Sequence, residues 1–251
     1  LEGVSQNILL ISKSSLSCTC ICFSMPKSYW ETVPGKKIPS SLELYPIVQS
    51  YLQEGYKILD IGCGFGKISF ELASLGYSVT GIDINSEAIR LSKAAAKSLE
   101  HNRKTEGRAE FKVGNASDLP FHDSSFDFEI MQAFLTSVPE PQARVRILQE
   151  AFRVLKPGGY LYLVEFAQNW HLKLYRKRYM QDFPVTKEEG SFLALNPETG
   201  DVEFIAHHFS EKELVFLLVD GGFEIDYFRV EELKTRTGNR INGFVVVAKK
   251  L

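Results

Sequence analysis

Residues 58–66 read ILDIGCGFG, so Gly62, Gly64 and Gly66 fall at alternate positions behind an apolar run that holds Asp60. Glycine weakens regular structure, and three in a row of this kind mark a backbone that bends sharply or lets a ligand come close. A strand that runs into glycines and then a helix presents main-chain N–H groups at a helix N-terminus, where anionic or electron-rich groups bind. Asp83 ends the next apolar stretch, in TGIDIN. It lies about 20 residues on, the spacing at which an acid meets a ribose in nucleotide-binding sheets. A carboxylate there can accept charge-assisted bonds from both ribose hydroxyls. The dinucleotide fingerprint is G-x-G-x-x-G. Here the glycines run G-x-G-x-G, and Lys67 stands where the third glycine of that fingerprint would fall. The chemistry expected is the binding of a nucleoside-bearing cofactor, with a nicotinamide-dependent oxidoreductase the less favoured form of it.

Other residue types suit an acceptor site. His171, His207 and His208 are candidate catalytic bases, because histidine titrates near neutral pH. Glu165 is a further candidate, at the end of a predicted strand. Trp170, Tyr175, Tyr179, Phe183 and Phe192 lie in the long segment 167–209, and Tyr29 and Trp30 in an aromatic lead-in. They could wall an apolar or aromatic acceptor or simply pack the insertion onto its support. His122, in PFHDSSFD, reads as a solvent-facing turn residue. The run Lys173, Arg176, Lys177, Arg178 reads as a solvated helix face.

The elements that must position these residues alternate. KILDIG, YSVTGIDI, AEFKVG, FDFEIMQ and YLYLVEF read as strands. Helices are predicted over 67–75, 86–100 and 141–155, with a short amphipathic helix over 42–52. Strand–helix alternation predicts parallel βαβ units and an open doubly wound sheet. A helix in SEKELVFLLVDGGF is followed by FEIDYFRV and INGFVVVAKK, which should pair antiparallel because no helix separates them. The fold class is therefore α/β, with a mostly parallel sheet of seven strands.

The chain has 251 residues, is 44% hydrophobic and 24% charged, and carries a formal net charge of −2. That balance predicts a globular protein and gives no global field for nucleic acid or an anionic membrane. No apolar stretch is long enough to span a bilayer. Residues 1–24 lack the later patterning and read as a tail outside the fold, or as sequence upstream of a start at Met25. Cys18, Cys20 and Cys22 fall there, at a spacing that suits zinc poorly. With Cys63 as the only other thiol there is no disulfide framework, which points to the cytoplasm. Residues 25–251 are expected to form one domain.

Four ordered stretches, ILDIGCGFG, VTGIDIN, GNASDLPFHDSSFDFEIMQAFLTSV and EAFRVLKPGGYLYLVEF, resemble the class I S-adenosylmethionine-dependent methyltransferases. Within them the chain is similar to the small-molecule branch that includes the ubiquinone and menaquinone C-methyltransferases. The resemblance implies a Rossmann-like sheet whose last strand is inserted antiparallel. It implies S-adenosyl-L-methionine as cofactor, no metal, and a small-molecule acceptor. Gly62, Cys63, Gly64 and Gly66 would then line the methionine and ribose portion, with Asp60 placing the loop. Asp83 would bind the ribose and Ile84 would pack on the adenine. Asn115 and Ala116 would meet the adenine edge, although the family often has aspartate where Asn115 stands. Gln132 would sit at the methionine end. The family also lacks an obligatory catalytic side chain, so a cofactor-binding but catalytically idle member acting through a partner stays open. MQAFLTSVPEP has none of the Asn/Asp-Pro-Pro-aromatic tetrad of enzymes that methylate base amino groups, so no nucleic acid is expected as substrate.

Overall fold

The computed structural model describes residues 28–34, 43–101 and 107–251. The first three cysteines, the proposed tail and Leu42 lie outside them. The elements are helix α1 (Tyr29–Thr32), strand β1 (Lys57–Ile61), α2 (Lys67–Ser74), β2 (Ser78–Asp83), α3 (Ser86–His101), β3 (Arg108–Val113), β4 (Phe126–Gln132), α4 (Pro141–Val154), β5 (Leu155–Phe166), α5 (Lys173–Thr186), β6 (Ser191–Leu195), β7 (Val202–His207), α6 (Glu211–Asp220), β8 (Phe223–Lys234) and β9 (Arg240–Lys250).

Seven strands make one sheet in the order β3-β2-β1-β4-β5-β9-β8. The pairs β1–β2, β1–β4, β2–β3 and β4–β5 are parallel. β9 runs antiparallel to both of its neighbours. The reason that the last strand enters the sheet inside β8 is visible in its residues. Val245, Val246 and Val247 are all buried, which requires cover on both faces. β8 spreads Glu224, Arg229, Glu231 and Glu232 along its length, and charges of that kind suit an edge.

The sheet separates two apolar layers. α4 and α6 cover one face through Ile147, Leu148, Ala151, Val154, Leu214 and Leu218. α2 and α5 cover the other through Ile68, Leu72, Tyr175 and Tyr179.

Two expectations need correction. The helix predicted over 42–52 is a single 3-10 turn, Pro46–Ser50, with Pro46 at its first position. The helix predicted over 141–155 ends at Val154; Leu155 and the KPGG that follows it open β5, with a register shift between Phe126 and Phe128 of β4. The insertion 167–209 carries structure not foreseen, namely α5 and an antiparallel β6–β7 hairpin.

Candidate functional site

The C-terminal ends of β1, β2, β4 and β5 bring the candidate residues to one edge. Gly62, Gly64 and Gly66 all have positive φ, at 75°, 51° and 76°. That region is strained for any side chain. A Cβ at Gly62 would also run into the ring of Phe134, and one at Gly66 into Phe111. Gly66 begins α2 without a side-chain cap, and Asp60 of β1 supplies one. Its Oδ2 accepts the Ser69 hydroxyl at 2.6 Å, and its carboxylate also accepts the Ser69 N–H. Burial pushes Asp60 up to about 6, against those bonds, which pull it down.

The loop is stitched to the tip of β2. Gly62 and Cys63 donate N–H bonds to the Ile82 carbonyl at 2.8 and 3.1 Å. Gly64 N–H donates to Asp83 Oδ2 at 2.8 Å, and Asn85 N–H donates to Asp83 Oδ1 at 2.8 Å. A carboxylate has about four lone-pair sites, so each oxygen keeps room for another donor. Burial raises the Asp83 pKa, while the N–H bonds from Asn85, Gly64 and Ile84 restrain the rise. Burial likewise lifts the Cys63 thiol well above its usual range. Ile84 is half-buried beside Asp83.

Asn85 stands at the N-cap of α3, a place its residue type favours. Its Oδ1 accepts the Ala88 N–H and caps α3, and its Nδ2 donates to the carbonyls of Trp30 and Val33, each at 2.8 Å. It thereby ties α1 to the tip of β2. From there Tyr29 and Trp30 reach Phe204 of β7, with ring centroids at 5.3 and 4.7 Å. The lead-in thus bridges the sheet and the hairpin.

At the end of β3, Asn115 is exposed and its Oδ1 accepts the Ser117 N–H at 2.9 Å, while Ala116 is buried. At the end of β4, Gln132 donates through Nε2 to the Glu43 carbonyl at 2.8 Å. Gln132 Oε1 and Trp30 Nε1 are buried polar atoms without a protein partner. Such atoms are costly unless something bonds them. Together with the acceptor sites that Asp83 keeps free, they fit a polar nucleoside ligand over this edge.

The histidines divide. His171 is exposed ahead of α5. His207 is fully buried: Nδ1 meets Ser191 Oγ at 2.8 Å and Glu188 at 3.2 Å, and Nε2 meets Glu213 at 2.9 Å. Burial opposes its charge, but the bonds to Glu188 and Glu213 prevail and raise its pKa. Glu188, His207 and Glu213 place ligand atoms within 4.8 Å of one another, as a metal would need. The guanidinium of buried Arg144 pairs with both carboxylates, so their charge is already answered. His208 is enclosed by Phe166, Tyr175, Tyr179 and Phe192. The Tyr179 hydroxyl lies 2.7 Å from His208 Nδ1 and accepts the Asn169 N–H. Burial holds His208 neutral, with its pKa down to about 3.

Tyr175, Tyr179 and Phe192 are therefore buried around His208, whereas Trp170 is half-buried, its Nε1 bonded to Gln168, and Phe183 is largely exposed. Lys173, Arg176 and Lys177 are exposed, and Arg178 lies over the Tyr175 and Phe192 rings. Two surface concavities of about 330 and 230 Å³ flank α5, and neither touches the glycine loop. Arg144 could have been noticed in the sequence, because it falls on the same helical stripe as Ile147, Leu148 and Ala151.

Comparison with known proteins gives the family. The Methyltransferase domain family matches residues 59–163. The ubiquinone/menaquinone biosynthesis C-methyltransferase UbiE of Shewanella sp. (strain ANA-3) is 30% identical over 190 residues, covering 73% of this chain and 72% of that protein. Its counterpart in Rickettsia bellii is 33% identical over 175 residues, with 66% and 68% covered. A crystal structure of a SAM-dependent methyltransferase from Methanosarcina mazei is 75% identical, covers 84% of this chain and 99% of that one, and superposes with a TM-score of 0.81. Magnesium protoporphyrin IX methyltransferase from Synechocystis, solved with bound S-adenosylhomocysteine, shares the fold at 20% identity, with a TM-score of 0.58 over 82% of this chain and 78% of that one. The chain belongs to the class I S-adenosylmethionine-dependent methyltransferases. It is an enzyme, its cofactor is S-adenosyl-L-methionine, and its sequence is similar to that of the UbiE proteins.

Proposed function

We propose that the protein methylates a small organic acceptor by in-line displacement, with the cofactor held on the β1–β2 edge and the acceptor received between the lead-in and the insertion. The single observation that carries this reading is the Asp83 carboxylate, fixed by Gly64 and Asn85 beside three glycines of positive φ. S-adenosylmethionine supplies a methyl group on a positively charged sulfur.

Asp83 accepts from the ribose hydroxyls through the lone pairs that Gly64 and Asn85 leave. Ile84 offers an apolar face to the adenine, and Asn115 and Ala116 its polar edge. Gly62, Cys63, Gly64 and Gly66 give the main chain close approach, and Asp60 fixes their turn through α2. Gln132 Oε1 accepts from the amino group at the methionine end.

Tyr29, Trp30 and Trp170 face the acceptor, and Tyr175 and Tyr179 support that wall from behind. None of the histidines is assigned as a base. His171 is exposed, and His207 and His208 have their bonds inside the fold. The residues act by holding the reactants at attack distance and excluding water, which can supply much of the rate.

The test is methyl transfer from labelled S-adenosylmethionine to a panel of aromatic, amine and enolisable acceptors. S-adenosylhomocysteine release that depends on one acceptor supports the reading. Tight cofactor binding with no turnover on any acceptor favours the idle, partner-dependent form.

A further inference from the structure

The segment 134–139 follows β4 and contains only one short 3-10 turn, Leu135–Ser137. Its first residue, Phe134, packs against Gly62 of the glycine loop. Ala133 enters it at φ 50°, an unfavourable conformation that the surroundings must hold.

Two buried side chains hold the segment from opposite ends. Glu165, at the end of β5 and 0% exposed, accepts three main-chain N–H groups: Phe134 at 3.0 Å and Leu135 at 2.6 Å on Oε1, and Thr136 at 2.9 Å on Oε2. Arg144 donates to the Val138 and Pro139 carbonyls at 2.9 and 3.4 Å. An acid at the N–H end and a guanidinium at the C=O end match the dipole of the turn. Side-chain bonds brace the middle, from Ser137 Oγ to the Phe134 carbonyl at 2.7 Å and from Thr136 Oγ1 to the His207 carbonyl at 2.5 Å.

Burial pushes Glu165 up to about 8, while the N–H bonds from Leu135, Thr136 and Phe134 favour its ionised form. Here both oxygens answer N–H groups that no amide could answer together. A glutamine offers one acceptor, and its NH₂ would face a main-chain donor. Glu165 is thus matched to this segment rather than to solvent or to an acceptor.

We propose that Glu165 is a positioning residue for methyl transfer: by fixing the 134–136 main chain it sets Phe134 against Gly62, and so sets how the glycine loop grips the cofactor. This rests on the cofactor site proposed above. Arg144 fixes the far end of the same segment, joining it through Glu188 to the insertion and through Glu213 to α6.

The test is a double-mutant cycle on the full chain, with S-adenosylhomocysteine affinity read by calorimetry. Glu165→Gln and Phe134→Ala should each weaken binding at least tenfold, and the double variant should be little worse than the poorer single one. Wild-type affinity in Glu165→Gln, or losses that multiply in the double variant, would overturn the proposal. Asp83→Ala is measured beside them. A loss there with none in Glu165→Gln sinks this inference alone, whereas no loss at Asp83 sinks the site on which it rests. If Glu165→Gln does not fold, amide exchange of the wild-type chain decides. S-adenosylhomocysteine should slow exchange at residues 134–136 as well as at 62–66. Slowing at 62–66 alone overturns the role of Glu165.

Discussion

Asn85→Asp separates two jobs that one side chain performs. Asparagine caps α3 through Oδ1 and straps the lead-in through Nδ2. Aspartate keeps an acceptor for the Ala88 N–H and is as good a cap. It has no N–H to give, so both bonds to the Trp30 and Val33 carbonyls are lost. Each such bond contributes about 0.5–1.5 kcal/mol net, so the strap loses roughly 1–3 kcal/mol. A charged oxygen facing two carbonyls adds to that loss. If α1 opens locally, amide exchange within residues 31–33 should speed by roughly 5- to 150-fold, while α3 stays protected. The ring contacts of Tyr29 and Trp30 with Phe204 set the residual protection. Peptide-resolved hydrogen exchange measures both segments in one experiment. Unchanged exchange over residues 31–33 would refute the strap, and equal loosening of α3 would show that the cap had failed instead.

Other substitutions probe separate parts. His208 keeps its pKa near 3 when folded and regains about 6.5 when unfolded, so its contribution is complete above pH 6.5 and is lost as pH falls toward 3. Urea unfolding at pH 7 and pH 4.5 should therefore show roughly 2–3 kcal/mol more acid destabilisation in the wild type than in His208→Gln, and equal slopes would contradict this. Gly62→Ala should destabilise more than Gly55→Ala. Both glycines have positive φ, but only Gly62 has a ring in the way. The excess in thermal unfolding should be about 1–3 kcal/mol, the cost of overpacking, and parity would show that Phe134 yields freely. Glu129 is fully buried in β4 with neither carboxyl oxygen bonded, and burial raises its pKa far above the usual range. Glu129→Met should stabilise the fold by about 1–3 kcal/mol, and a lower melting temperature would mean that the acid has a partner in solution.

Much of the fold was legible because it is written locally. The strands, the glycine turn and Asp83 follow from apolar runs, turn residues and short spacings. The strap and the clamp were not legible, because Asn85 meets Trp30, and Glu165 and Arg144 meet the two ends of segment 134–139, only in the folded chain. His207 and His208 show the boundary. Adjacent residues at the extended end of β7 point to opposite faces. One therefore enters the Glu188–Glu213–Arg144 cluster and the other the aromatic enclosure. Period-two reading would have separated them, but not named their partners. The β6–β7 hairpin was missed because its strands are short and the aromatic residues around them suit a lid as well as a sheet. The lead-in showed its aromatic residues, but not that Phe204 would receive them.

The decisive observation is the affinity of the Asp83→Ala chain for S-adenosylhomocysteine against that of the wild type. Loss of bonds to the half-buried carboxylate at the tip of β2 should weaken binding by about 1.5–3 kcal/mol, or roughly 10- to 150-fold. The same dissociation constant in both chains would mean that the nucleoside lies elsewhere, and that the glycine edge serves only the fold.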